Sequence, residues 1–405
     1  MAADVSKPSI AVDEDGTLHI NSTNRVIING MDVVTVLKSA IGALAGLAFS
    51  QPLEARTITT DAKGAFSVYA ADLDNDGNLD VLSASADDEK VAWYRNNGDG
   101  TFSSQKIIST AVDYVYSVYA ADLDNDGKVD VLSASAGDDK IAWYRNNGGG
   151  SFSSQKVIST AANGAFSVYA ADLDNDGKID VLSASADDDK IAWYRNNGGG
   201  SFSSQKVIST AANYAYSVFA ADLDNDGNID VLSASRNDNE IAWYRNNGGG
   251  SFSTQKVISR AAARACLVFA ADLDNDGYLD VLSASSGDNE IAWYRNNGDS
   301  TFSDQRVITR DADYAMSVYA ADLDNDGNID VLSASADDNK IAWYRNKGDG
   351  SFSSQLIITT AATAARSVHA ADLDNDGDMD ILSAGSRDNN IAWYRNQVSD
   401  MFYFD

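Results

Sequence analysis

The stretch Asp72-Leu73-Asp74-Asn75-Asp76-Gly77-Asn78-Leu79-Asp80 returns with its DLDNDG core at Asp122, Asp172, Asp222, Asp272, Asp322 and Asp372, seven copies spaced 50 residues apart without a slip. A period of that length makes each unit one supersecondary element that buries its faces against its neighbours, and it overrides the two or three ordinary domains that 405 residues would otherwise suggest. Each unit holds four short apolar runs (67–71, 79–85, 90–96 and 101–110 in the first), parted by the acidic loop, a polar turn and Asn97-Gly98-Asp99-Gly100. Short runs bounded by such turn residues are β-strands.

Seven four-stranded units fit the blades of a β-propeller, because radial closure removes the sheet edges that an open stack would expose. The expected fold class is all-β: a seven-bladed β-propeller of four-stranded blades with a small N-terminal β-plus-helix extension. Phe49-Ser50-Gln51 and Arg56-Thr57-Ile58-Thr59-Thr60 resemble the end of a unit, whereas the final unit supplies strands at 368–371, 379–383 and 391–396 and then departs from the pattern. The propeller is therefore expected over 49–405, closed by the N-terminal strand 56–60.

Residues 1–48 form the extension. Two alternating runs, 17–20 and 25–28, read as a small hairpin or two edge strands. From 31 to 48, Val33, Leu37, Ala40, Leu44 and Leu47 recur at spacings of four and three behind Asp32, which predicts a helix of about four turns. Interrupted by Thr35, Lys38 and Ser39, it is marginal as a membrane span, and it starts late for a leader and lacks a basic flank. An oligomerisation or anchoring segment is the expectation, making a homo-oligomer through 31–48, with packing on the chain's own propeller as the alternative.

The loops carry the chemistry. Carboxylates stand at position 1 (Asp72, Asp122, Asp172, Asp222, Asp272, Asp322, Asp372), position 3 (Asp74, Asp124, Asp174, Asp224, Asp274, Asp324, Asp374), position 5 (Asp76, Asp126, Asp176, Asp226, Asp276, Asp326, Asp376) and position 9 (Asp80, Asp130, Asp180, Asp230, Asp280, Asp330, Asp380). They surround a glycine at position 6 that lets the chain turn with φ > 0. Asp-Asn-Gly runs also make plain turns. Seven copies that all keep the closing aspartate exceed turn chemistry, since grouped carboxylates repel without a cation. Hard oxygen donors in a tight loop point to Ca²⁺, about seven ions, one per blade. An EF-hand would need a Glu at position 12, where Ser83 stands, and flanking helices.

The formal net charge is −30, and seven loops of four aspartates hold 28 of the 60 acidic residues; seven Ca²⁺ would leave about −16. No basic patch exists to neutralise phosphates, which argues against nucleic acid or an anionic membrane as partner. Cys266 is the single cysteine, so no intrachain disulfide forms. All seven tryptophans, Trp93 to Trp393, lie inside Ala-Trp-Tyr-Arg-Asn; filling the space between wedge-shaped sheets explains them better than a sugar-stacking stripe. The following arginine, Arg95 and its equivalents, is expected to pair with nearby carboxylates or carbonyls.

A strand followed by DxDxDGxxD, an aromatic third strand and Asn-Gly-Asp-Gly-Thr-Phe-Ser together resemble the FG-GAP or VCBS repeat family, over about residue 56 to the end. The family includes the calcium-bearing propeller of integrin α subunits and seven-bladed lectins. The resemblance implies Ca²⁺ between first and second strands, held by the four aspartates and by the main-chain carbonyl at position 7 (Asn78, Lys128, Lys178, Asn228, Tyr278, Asn328, Asp378). The Phe-Gly pair that names the family is Phe-Ser here.

The units differ among themselves in two places: the entry to the first strand (Gly64, Tyr114, Gly164, Tyr214, Arg264, Tyr314, Ala364, with Phe66, Tyr116, Phe166, Tyr216, Cys266, Met316 and Arg366 two residues on), and the turn between second and third strands. In an antiparallel blade both emerge opposite the acidic loops. Tyrosine and arginine are recognition residues, so Tyr114, Tyr214, Arg264, Tyr314 and Arg366 are the candidate ligand contacts. With only His19 and His369, one cysteine, no GxSxG and no phosphate loop, the parts for catalysis are missing, and no enzyme is expected. The expected function is a calcium-stabilised recognition, attachment or structural propeller, extracellular or exposed on a cell or virion surface, binding protein or glycan through that face. The alternative is a multivalent lectin with sugar sites between blades.

Overall fold

A computed structural model describes residues 55–397, together with the backbone of four short strands before them. It is a ring of seven four-stranded antiparallel sheets. In the first blade the strands, from the axis outward, are Ala65–Ala71, Asp80–Ser85, Lys90–Tyr94 and Lys106–Ser109, and five further blades repeat them at 50-residue steps. The last blade takes Ala365–Ala371, Asp380–Gly385 and Asn390–Tyr394 from the chain's end and its outer strand, Arg56–Thr59, from the beginning, with Ala392 opposite Thr57. Closing the ring with strands from both ends leaves no blade to peel off alone.

The strand limits differ from the sequence expectation at two points. The inner strand begins two residues earlier and carries a bulge in every blade, between Ala65 and Ser67 in the first, so residue 66 and its equivalents are squeezed out of the ladder. The outer strand is shorter, because 96–102 closes as a small hairpin bridged from Asn96 to Phe102. Its tip packs tightly: a Cβ on Gly150 would lie 2.3 Å from Trp93, and the φ of +71° there also calls for glycine.

Packing is between blades. Trp93 is buried against Phe152 of the next blade, edge-on at 6.2 Å, with the Lys106 ammonium 4.2 Å above its ring. This supports the packing reading of the tryptophans. On the axis, Tyr69, Tyr119, Tyr169, Phe219, Phe269, Tyr319 and His369 form a closed ring with centroids 4.6–5.0 Å apart that fills the channel. Next to it, the Ser67 hydroxyl accepts the Val118 N–H of the next blade at 3.4 Å, and Ser367 accepts Val68 N–H across the closure.

There is no helix among the described residues, and none therefore is long and apolar enough to cross a membrane. The predicted helix at 31–48 is not supported. Its first two residues, Met31–Asp32, form a strand paired antiparallel with Ile27–Ile28. Leu18–Asn21 pairs with Ser9–Val12, so the runs 17–20 and 25–28 belong to separate hairpins. Residues 33–54, with the rest of the predicted helix and Phe49-Ser50-Gln51, lie outside the described residues.

Candidate metal centre and recognition face

Each acidic loop joins the inner strand to the second strand. In the first, Asp72 turns back on its own loop: Oδ1 accepts the Asp76 N–H at 3.1 Å and Oδ2 the Gly77 N–H at 2.9 Å. Asn75, in the left-handed region at φ +62°, and Gly77, at φ +89°, make that turn possible. Asp80 opens the second strand and is fully buried; its oxygens accept the Leu73 N–H at 2.9 Å and the Asn96 N–H at 2.8 Å. The loop is therefore prebuilt by backbone donors that hold carboxylates in place.

In the first four loops the structure brings positions 1, 3 and 9 together, with one oxygen of each within 4.8 Å of the others; in the fifth, positions 1, 3 and 5 converge. Position 5 lies outside that group in the first four, and it is held by the arginine: Arg95 spans two carboxylates, Nε to Asp74 Oδ2 at 2.5 Å and a terminal nitrogen to Asp76 Oδ2 at 2.7 Å. All seven equivalent arginines do the same. Position 7 is placed on the loop, its N–H donating to Asp76 Oδ1 at 2.9 Å in the first copy; in two loops its side chain, Lys128 or Lys178, pairs with position 5.

Two observations fit this donor set to a hard divalent cation. The arginine takes one oxygen of position 3 and leaves the other buried without a hydrogen-bond partner, in Asp74, Asp124, Asp174, Asp224, Asp274 and Asp374. Burial, with nearby carboxylates adding to it, pushes the position 9 carboxyls far above the usual range: Asp80, Asp230 and Asp280 to about 7, Asp130 and Asp180 to about 6, and Asp330 and Asp380 to about 8. With all four carboxylates ionised against one guanidinium, and a lysine besides in the second and third loops, a loop carries about −3 or −2, which a divalent cation would offset.

Sequence reasoning missed the asparagine of Ala-Trp-Tyr-Arg-Asn. Buried Asn96 donates from Nδ2 to Leu79 O at 3.0 Å and to Leu373 O of the neighbouring blade at 2.6 Å. All seven copies make this interblade bond onto the second residue of a neighbouring acidic loop. Asn75 and its equivalents join each loop to the next, and Asn375 to Asn78 closes the circle. An asparagine at one fixed place in every unit was the available signal.

On the opposite face, the turn between second and third strands hydrogen-bonds to the link entering the inner strand, Ala86 N–H to Gly64 O at 3.0 Å. Tyr114, Tyr214, Arg264 and Tyr314 all lie here with positive φ, between 48° and 58°. Tyr114 is 51% exposed and Arg264 is exposed. Tyr214 and Tyr314 are half-buried: Tyr214 lies along Tyr216, and the Tyr314 hydroxyl accepts from Arg236 at 2.6 Å. Arg366 stands apart from these four, on a bulge at the channel mouth beside Phe66. Arg236 was overlooked, although it is the single arginine in the series Ala86, Ala136, Ala186, Arg236, Ser286, Ala336, Ser386.

The chain resembles solved propellers of low sequence identity. A lectin of Agrocybe aegerita, described as specifically recognising non-reducing terminal N-acetylglucosamine, is 22% identical, covers 74% of this chain and 81% of its own, and has a TM-score of 0.55. The BBS1N domain in complex with ARL6DN is 13% identical over 85% of this chain and 96% of its own, with a TM-score of 0.60. At these identities the likeness shows the fold alone. No curated protein matches in sequence. The FG-GAP-like repeat profile matches six overlapping segments, 72–133, 122–183, 172–233, 222–283, 272–333 and 324–383. With that profile running through the acidic loops and the seven blades built on them, the chain belongs to the FG-GAP-like repeat family of β-propellers.

Proposed function

We propose that this is a non-catalytic recognition propeller, stabilised by about seven Ca²⁺ ions and exposed outside the cell or on a cell or virion surface, that binds protein or glycan through the face opposite the acidic loops. The observation that carries the reading is the contrast between the faces. One repeats the same carboxylates, arginine and asparagine in every blade, and the other places different tyrosines and arginines at equivalent points. Calcium, held by positions 1, 3 and 9 with position 7 carbonyls, would cancel charge that Arg95 and its equivalents only partly offset. The orphaned position 3 oxygens support a resident cation. Low affinities typical of extracellular calcium modules, about 10⁻⁴ to 10⁻³ M, favour the surface location.

A glycan array and a displayed-peptide library, each probed in Ca²⁺, test the recognition. Hits lost on alanine substitution of Tyr114, Tyr214, Arg264 and Tyr314 together support this face; undiminished binding moves recognition elsewhere. One groove favours the lectin alternative. Between the last and first blades, Arg56, Asp99, Gly100, Phe102 and Trp393 line a cavity of about 440 Å³, large enough for a sugar ring against an aromatic edge.

A further inference from the structure

The bulge in each inner strand aims one side chain at the channel mouth, on the face opposite the acidic loops. Four consecutive blades place aromatics there, Phe66, Tyr116, Phe166 and Tyr216, with Tyr116 and Phe166 stacked at 4.6 Å. Beneath them lie Ser67 and its equivalents, replaced by Leu267 in the fifth blade, and then the closed aromatic ring, so the mouth is a blind well of about 100 Å³. Arg366 lines it, and a second guanidinium, Arg236, stands behind Tyr216 at its rim. Arg366 lies 5.3 Å from the Phe66 ring and donates to the Ser386 hydroxyl at 3.4 Å. Arg236 lies 5.2 Å from the Tyr216 ring and donates to Tyr314.

Among the described residues both arginines lack an acidic partner within 4.0 Å, as do Arg56, Arg264, Arg306 and Arg387, in a chain with 60 acidic residues for 30 basic ones. The loop arginines all have one, as do Arg260 with Glu240 and Arg310 with Glu290. Asp87, which lines an adjoining cavity of about 210 Å³ with Arg366 and Arg387, forms no ion pair with either. Aromatic faces fix a guanidinium in place, but its in-plane N–H donors are satisfied only by oxygen acceptors. A charge-assisted pair with a planar anion is the strongest such contact. The well holds about three waters' volume, the size of a carboxylate with its adjoining carbon.

The geometry points to a carboxylate site at this mouth: Arg366 and Arg236 take the acid group of a small ligand whose body lies across the rims of the Phe66, Tyr116 and Phe166 rings. It rests on the recognition reading of this face and names its chemistry. Ligand-observed NMR and calorimetry on the full chain in Ca²⁺ would compare benzoate with benzyl alcohol, and glucuronate with glucose. The site requires that at least one acid binds while its neutral partner does not, the arm that responds telling an aromatic acid from a sugar acid. It also requires that Arg366→Gln and Arg236→Gln each weaken binding about tenfold with melting unchanged, and that lysine at either position restores part of it. Equal binding of acid and neutral forms, affinity unmoved by both glutamine variants, or sulfate displacing the acids at equal concentration would overturn it. Array hits that survive both glutamine variants but not the tyrosine variants would remove the carboxylate site and leave the recognition face standing.

Discussion

Removing calcium should reverse the direction in which pH moves the melting temperature. In the metal-free fold the buried position 9 carboxyls titrate near 6, 7 or 8, against about 3.9 in the unfolded chain. A carboxyl raised on folding lends stability below the unfolded value and loses it as pH rises through the folded one, so between about pH 4 and pH 8 the metal-free protein is weakened by alkali. Going from about pH 7.5 down to about pH 6, the seven shifts together amount to roughly 8 kcal/mol, and about half remains after screening by solvent at the loops. His369 works the other way. Burial in the aromatic ring lowers it to about 4, so acidification over the same interval costs the fold just under ~1 kcal/mol. The net gain of about 3 kcal/mol, spread over the melting entropy of some 350 residues, is a rise of roughly 4 °C in EDTA. In excess Ca²⁺ the same acidification protonates ligands and releases the ion, so the melting temperature falls. Differential scanning calorimetry at both pH values, with Ca²⁺ and with EDTA, gives four numbers. Slopes of one sign in both media would refute the account of the loops.

The other predictions concern single side chains. Asn196→Ala leaves the Leu123 and Ile179 carbonyls without the donors they have at 2.7 and 2.8 Å, and should lower unfolding free energy by about 2–4 kcal/mol in urea titration. Gly200→Ala drives a methyl to 2.4 Å from Trp143 at φ +72°, so a loss of at least ~2 kcal/mol with a red shift of tryptophan emission is expected. Tyr114→Gly relieves a left-handed tyrosine and should stabilise the fold by up to about 1 kcal/mol while weakening recognition. His369→Phe keeps the ring packed and removes its acid sensitivity, so in Ca²⁺ the melting temperature of the variant should fall less than that of the parent below about pH 6.

The architecture was legible because the period is strict: one unit read correctly is seven, and the offset start at Arg56 carries the closing strand. The carboxylates were legible because their spacing around glycine is local. What escaped was lateral. That Asn96 reaches a carbonyl 277 residues away, or that Tyr69 meets both Tyr119 and His369, follows from ring closure and has no signature within one unit. At the start of the predicted 31–48 helix, periodic apolar spacing outweighed the pairing that puts Met31–Asp32 in a strand beside Ile27–Ile28. The bulge escaped as well, because the apolar run read as the inner strand began at 67 and left residue 66 in the connection, with nothing to show that the ladder starts before it.

The two faces obey different physics, and that difference would permit the proposed recognition. On the acidic face every loop donates to its neighbour through Asn75 and every buried asparagine ties adjacent blades, so a change in one loop is felt by the next. On the other face the turns hydrogen-bond mainly within their own blade or to the adjoining one through backbone and short side chains, leaving residue 64 and its equivalents free to vary. Gly64 and Gly164 show the relaxed solution, at φ +63°. Tyrosine in the same conformation at 114, 214 and 314 costs about 1 kcal/mol each, and the fold can carry it because rigidity is supplied from the opposite side. The same left-handed backbone is accepted at five blades, with Tyr114, Tyr214, Arg264, Tyr314 and Ala364, and relaxed by glycine at two, so the fold leaves the choice of residue here to side-chain chemistry rather than backbone comfort.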